Sequence, residues 1–270
     1  MTRRTVLKAL SVALIGVLAI GAGPQASAIV NGTPDFTHNA VGSFWITNPT
    51  TGRSQLICTG AYVAPTVFVT ASHCSLFIAE LGWAVHVSRD PLPPTDGSLP
   101  ADAMRADVHV NPLYRSARGT DSYNHDVSVL VTRSADGGPL AKLPRLGLLD
   151  DMKADKSLRA ATFTLVGYGT SAKEIVKGSG PTFPDTAGRL SAVVGFHSLS
   201  QTVLHEDQRA NAGWGGACYG DSGGPSFLND TDVIVAVTSS GDIPCYSTNT
   251  AYRLDTAEAR QFLTRFVSLP

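Results

Sequence analysis

From residue 29 to residue 254 the chain is written in short apolar runs cut by turn residues, and this spacing restricts the fold more than any other feature. Leu56 to Val63, Val67 to Thr70, Trp83 to Val87, Met104 to Val110, Val127 to Val131, Ala161 to Val166, Leu190 to Phe196, Val233 to Thr238 and Ala251 to Leu254 are rich in β-branched or aromatic residues, with Gly, Pro, Asn and Asp between them. Many short strands in succession predict an all-β chain folded as antiparallel barrels or sandwiches. Asp90 to Asp102 and Thr170 to Gly188, interrupted by prolines or glycines, predict long surface loops. The hardest break, Asp136-Gly137-Gly138-Pro139, places a joint between two strand groups, residues 29–138 and 139–270. No internal sequence repeat is visible. Only the C-terminal end reads as helical: Asp255 is placed to cap it, Glu258 follows three residues on, and Phe262, Leu263 and Phe266 share a face directed at the last strand group.

Residues 1–28 read as a secretory leader outside the fold. Arg3, Arg4 and Lys8 make a basic start, Ala9 to Ala22 is apolar without charge, and Ala26-Ser27-Ala28 is a cleavage pattern. The apolar run is short for a span of about 20 residues. Thr2 to Lys8 also resembles a twin-arginine export signal, which leaves the route open. Removing the leader reduces 21 Lys and Arg to 18 against 22 Asp and Glu, a net charge of −4, so nothing points to nucleic acid or a membrane surface as partner. The four cysteines, at 58, 74, 218 and 245, are expected to form two disulfides in an exported chain.

Chemistry concentrates in Cys218-Tyr219-Gly220-Asp221-Ser222-Gly223-Gly224-Pro225. Glycines around one serine allow positive φ, so such a turn can expose the hydroxyl and aim backbone N–H groups at one point. An attacking oxygen with donors for the charge it creates is what acyl transfer requires. A serine hydroxyl needs a base, and His73 follows the apolar Val67 to Thr70 run in Thr70-Ala71-Ser72-His73-Cys74. A bridge from Cys74 back to Cys58 would hold that backbone still, closing a loop of 16 positions worth roughly 3 kcal/mol. The imidazole needs a carboxylate to select its tautomer, and Asp126 stands at the mouth of Val127-Ser128-Val129-Leu130.

Together these pieces resemble the chymotrypsin/trypsin family of serine endopeptidases. The resemblance runs from Ile29-Val30-Asn31-Gly32 through Thr70 to Cys74, His125 to Leu130, Gly167-Tyr168-Gly169 and Gly220 to Pro225 to the closing helix, with His, Asp and Ser in the family's order at spacings of 53 and 96 residues. It implies two antiparallel six-stranded Greek-key barrels with a short C-terminal helix, the first barrel carrying His73 and Asp126, the second Ser222 and the specificity pocket. It implies His73 as general base and acid, Asp126 as orienting carboxylate and Ser222 as nucleophile, with the N–H groups of Gly220 and Ser222 as oxyanion hole. Ser239 matches a position that supports the buried aspartate. Cys218 and Cys245 fall where the family bridges its pocket walls, although counting alone leaves other pairings open.

The same resemblance pairs the ammonium of a new N-terminal Ile29 with Asp221. Most members carry a basic residue before this position, whereas here Ala28 ends the leader, so leader removal itself is expected to activate the chain. The pocket is expected to involve Gly216, Ala217, Tyr219, Ser239, Ser240, Gly241 and Thr250. Gly216 stands where trypsin-like members carry an aspartate, so an uncharged apolar side chain is expected on the acyl side of the cleaved bond, with Asp242 a weak exposed charge beside the entrance. No metal or cofactor is implied, and a monomer acting on protein or peptide substrates, open to proteinaceous inhibitors, is expected. Two other readings remain beside this one: a silent protease-fold binding protein, and esterase activity on the same three residues.

Overall fold

The computed structural model describes residues 29–115, 123–170, 174–175, 181–182, 188–242 and 245–270. The leader at 1–28 and most of the loop expected at 170–188 lie outside them. The strands are β1 (Thr33–Pro34), β2 (Val41–Thr47), β3 (Ser54–Ala64), β4 (Val67–Thr70), β5 (Ala84–Ser88), β6 (Met104–Val110), β7 (Ser128–Thr132), β8 (Thr162–Gly167), β9 (Glu174–Ile175), β10 (Pro181–Thr182), β11 (Leu190–Leu199), β12 (Val203–Asp207), β13 (Pro225–Leu228), β14 (Ile234–Gly241) and β15 (Thr248–Arg253). Three helices join them: α1 (Ser72–Leu81), α2 (Leu148–Ala154) and α3 (Ala257–Leu263).

Two closed six-stranded antiparallel barrels result. The first runs β2-β3-β4-β7-β6-β5 and closes through β5 onto β2. The second runs β8-β11-β12-β15-β14-β13 and closes through β13 onto β8, with β1 added against β11. Numbered within each barrel, both follow the order 1-2-3-6-5-4, a repeat of topology that the amino-acid sequence does not display.

Alternation along the strands divides the core in three. Phe44, Tyr62, Phe68 and Leu130 fill the first barrel, and Phe163, Leu165, Val194 and Val235 fill the second. A third cluster lies between them: in β4 and β7, Val67, Val69 and Val129 turn away from the first barrel's interior to meet Tyr168, Phe227 and Val237. Each fully buried side chain of this size contributes roughly 1.5–3 kcal/mol relative to exposure. The barrels are thus joined by apolar contact, and the polar site described below sits in the seam.

Several elements depart from the expected pattern. Helix α1 follows β4 directly and lacks a side-chain N-cap; its stop signal is Gly82, whose left-handed backbone (φ 65°) lets its N–H reach Ile78 O. Helix α2 carries Asp150 and Asp151 in its first turn and Lys153 in its last, a pattern that favours the helix dipole. Strand β2 is buried on both faces, so it lacks polar alternation; β12 carries His205, Glu206 and Asp207; and β13 starts at a proline. The last helix is capped by Thr256, whose hydroxyl accepts from Ala259 N at 3.2 Å, and not by Asp255. Arg253 draws Asp255 away with bonds of 2.8 and 2.9 Å, and the Asp255 carboxylate instead accepts from Leu149 N, capping α2. Phe262 and Leu263 enter the cluster between the barrels, and Phe266 stacks on His109 of the first barrel at 4.9 Å, so α3 braces both barrels and not the last alone.

Candidate active site

Thr70 ends β4, and the chain turns at once into α1, placing His73 in its first turn. Two serines anchor this turn: Ser72 Oγ donates to Val127 O at 2.7 Å, and Ser128 Oγ donates to Ala71 O at 3.0 Å. Opposite it, His125 takes a left-handed conformation (φ 60°), and Asp126 follows, fully buried. Its carboxylate accepts the His73 backbone N–H at 2.8 Å through Oδ1 and meets the ring Nδ1 at 2.8 Å through Oδ2. Ser239 Oγ donates to the same Oδ2 at 2.5 Å. Burial opposes the charged ring of His73, but the charge and hydrogen bond of Asp126 outweigh it and raise the imidazole pKa above its ordinary value. The disulfide Cys58–Cys74 pins the next residue of the helix to β3.

Ser222 sits in a turn that only glycine permits. Gly220 and Gly223 have φ of 95° and 77°, and a Cβ at Gly223 would lie 2.1 Å from Thr70 Oγ1. Asp221 N bonds Cys218 O, Gly224 N bonds Asp221 O, and Gly223 N reaches across to Thr238 O at 2.7 Å. The Asp221 carboxylate points inward and accepts from Gly169 N and Cys218 N, each at 2.8 Å. Burial pushes its pKa up to about 8 against those two bonds.

Thr59, fully buried on β3, clasps this turn from the other barrel. Its N–H donates to Ser222 O at 2.9 Å, and its hydroxyl donates to Gly220 O at 2.9 Å while accepting from Tyr168 N at 3.1 Å. Sequence reading missed it, since a threonine inside the β-rich run Leu56 to Val63 carries no signal of its own. Thr59→Val keeps the shape and strands both partners, so a loss of about 1–3 kcal/mol in urea unfolding is expected. Thr59→Ser should restore most of it; equal stability of valine variant and parent would refute the clasp.

His73 and Ser222 line one cavity of ≈ 370 Å³ with Ala217, Tyr219, Ser239, Ser240 and Gly241. No hydrogen bond joins Ser222 Oγ to the His73 ring among the described residues; such bonds often tighten only once substrate is bound. Gly216 and Thr250 are outside this lining. Gly216 is bridged to Val30 and backs onto Gln208, whose Oε1 would lie 2.5 Å from a Cβ there. Thr250 turns its hydroxyl to His205 Nδ1 at 3.2 Å, on the opposite face of β15, and its neighbour Asn249 lines the cavity instead. Asp242 also lines it, but its carboxylate is occupied, accepting from Tyr246, Ser247 and Thr248 N–H groups and from Gln208 Nε2. These backbone bonds outweigh burial and hold its pKa low. The second disulfide, Cys218–Cys245, forms one wall.

Ile29 is fully buried against Leu190 and Ala192, and Val30 packs on the Cys218–Cys245 bridge, whose Cys218 N–H donates to the Asp221 carboxylate. Arg189, 1% exposed, secures residues 35–41 that follow, by donating to Asp35 O, Val41 O and Asn39 Oδ1. One group of metal-type donors occurs among the described residues, Cys58, His73 and Cys74, and its two sulfurs are spent in a disulfide.

A family model described as Trypsin matches residues 29–260. The chain belongs to the trypsin family. It is a serine-type endopeptidase, a hydrolase acting on peptide or protein substrates. No curated protein matches its sequence. Among solved structures, HL collagenase, determined at 1.7 Å, superposes with a TM-score of 0.64 over 89% of this chain and 100% of its own, at 16% identity. At that identity the likeness is one of fold, the family's paired barrels. No helix among the described residues is long and apolar enough to cross a membrane.

Proposed function

We propose that Ser222 attacks the carbonyl of a peptide bond while His73 takes its proton, and that the resulting acyl-enzyme is hydrolysed by water activated by the same histidine. Asp126 holds the ring with Nδ1 protonated, which leaves Nε2 to accept the serine proton and later return it to the leaving amine. Gly220 and Ser222 N–H groups receive the oxyanion. The observation that carries this reading is the buried Asp126 carboxylate, which takes two bonds from His73 and one from Ser239, two residues that line a cavity with Ser222.

The reading extends to export and activation. Residues 1–28 direct secretion and are removed, the new Ile29 ammonium pairs with Asp221, and the product is a monomer without membrane attachment, open to proteinaceous inhibitors. Apolar walls, Ala217, Gly241 and the disulfide, favour an apolar side chain on the acyl side of the cleaved bond.

Intact mass of the secreted protein, with and without an organophosphonate, tests nucleophile and N-terminus together. One adduct on a chain starting at Ile29, absent from Ser222→Ala, is the expected result. A folded, correctly processed chain that takes no adduct would be a silent binding protein, and the proposal would fall.

A further inference from the structure

The cavity beside Ser222 has apolar walls but a polar floor. Asn249 lines it, and behind the lining residues Asn249 and Asp242 lie their partners Glu206 and Gln208; Glu206, Gln208 and Asn249 are exposed by 0, 0 and 1%. Asn249 reaches the cavity from β15, and its amide nitrogen faces inward, donating to Glu206 Oε2 at 2.7 Å and to Thr238 Oγ1 at 3.2 Å. An ionised carboxylate only accepts, so it dictates which end of the amide turns toward it. Both amide hydrogens are thereby consumed by Glu206 and Thr238. Asn249 Oδ1 is left without a donor from any described residue, in a side chain that lines the cavity. Gln208 is packed behind Gly216, and Asp242 is already engaged, its Oδ1 by Ser247 N, Thr248 N and Gln208 Nε2 and its Oδ2 by Tyr246 N.

We infer that Asn249 is a specificity-determining residue whose Oδ1 accepts a hydrogen bond from the tip of the substrate side chain, and that Glu206 is the positioning residue that fixes its amide. The side chain that fits is apolar along its body and ends in an uncharged donor, a phenol of the tyrosine type. This rests on the proposed Ser222 mechanism and narrows its apolar preference, because a site built to bond a hydroxyl discriminates against the analogue lacking it.

The test uses peptide substrates identical except for tyrosine, phenylalanine, O-methyltyrosine or arginine on the acyl side of the cleaved bond. They are assayed at about pH 8, above the Glu206 carboxyl, which burial pushes up to about 7 despite its bond from Asn249. Rates are normalised to sites labelled by the organophosphonate, so loss of labelling refutes the Ser222 mechanism, whereas intact labelling with the wrong preference refutes this inference alone. For the parent enzyme kcat/KM on tyrosine should exceed that on phenylalanine about tenfold, as one additional hydrogen bond gives, with O-methyltyrosine no better than phenylalanine. Asn249→Leu should bring the tyrosine-to-phenylalanine ratio to one or below. Should that variant not fold, the near-isosteric Glu206→Gln serves: its own amide can donate to Asn249 Oδ1, letting the asparagine turn over, and O-methyltyrosine should then rise relative to tyrosine. Preference for phenylalanine or arginine in the parent enzyme, or ratios unmoved in the variants that fold, would overturn the assignment.

Discussion

Asp126→Asn should lower kcat about 10⁴-fold and leave KM nearly unchanged, the size of effect expected when the histidine of a Ser-His-Asp constellation is held in the wrong tautomer. The hydrogen bonds around Asp126 decide which way the new amide points. Its nitrogen cannot replace Oδ1, because that oxygen accepts the backbone N–H of His73 and two donors would face each other. It must replace Oδ2, where Ser239 Oγ can rotate to accept but the ring Nδ1 can adapt only by giving up its proton. The proton moves to Nε2, and the base that the proposed Ser222 attack requires is gone. KM holds because Asp126 does not line the cavity. The acid limb of the pH profile should also move to lower pH in the residual activity, since the carboxylate that raises the His73 pKa has been neutralised. Steady-state kinetics on one peptide substrate checks both effects. A fall in kcat of less than tenfold would mean that His73 is not oriented by Asp126.

The parts of this architecture visible in the sequence are those encoded within a few consecutive residues. Gly220 to Pro225 must make a tight turn wherever it lies, and Cys74 beside His73 announces a fixed loop; the structure places both at the seam. What escaped depends on a register that local sequence does not specify. Thr250 and Asn249 differ by one position, and strand alternation sends one to His205 and the other to the cavity floor. Asp255 has the better capping chemistry, yet Arg253 claims it and Thr256 takes over. Glu206 carries no signal of its own in the sequence, and only the pairing of β12 with β15 buries it on Asn249. In each case a partner distant in sequence overrides a local preference.

One residue added before Ile29 should reduce kcat about 10²–10³-fold, the loss expected when one oxyanion donor is no longer held, and Asp221→Asn in the correctly processed chain should match it. Asp221 is buried, bonded to the N–H groups of Cys218 and Gly169, and paired with no cation among the described residues. With Ile29 still in peptide linkage, burial pushes the Asp221 carboxyl up to about 8 from the ordinary 3.8. The folded state then holds a proton that the unfolded chain releases, so the unprocessed chain should lose stability as pH rises from about 4 to about 8. A free Ile29 ammonium keeps the Asp221 carboxylate ionised and moves the loss to higher pH. Its ordinary pKa near 8 is raised by the carboxylate, so the pair's contribution is complete below the ordinary value and fades only as pH climbs through the raised one. Melting temperatures of the two chains should therefore diverge most near pH 8 and converge in acid. Superimposable curves, or full activity in the extended chain, would show that the turn around Ser222 is ordered without the N-terminus.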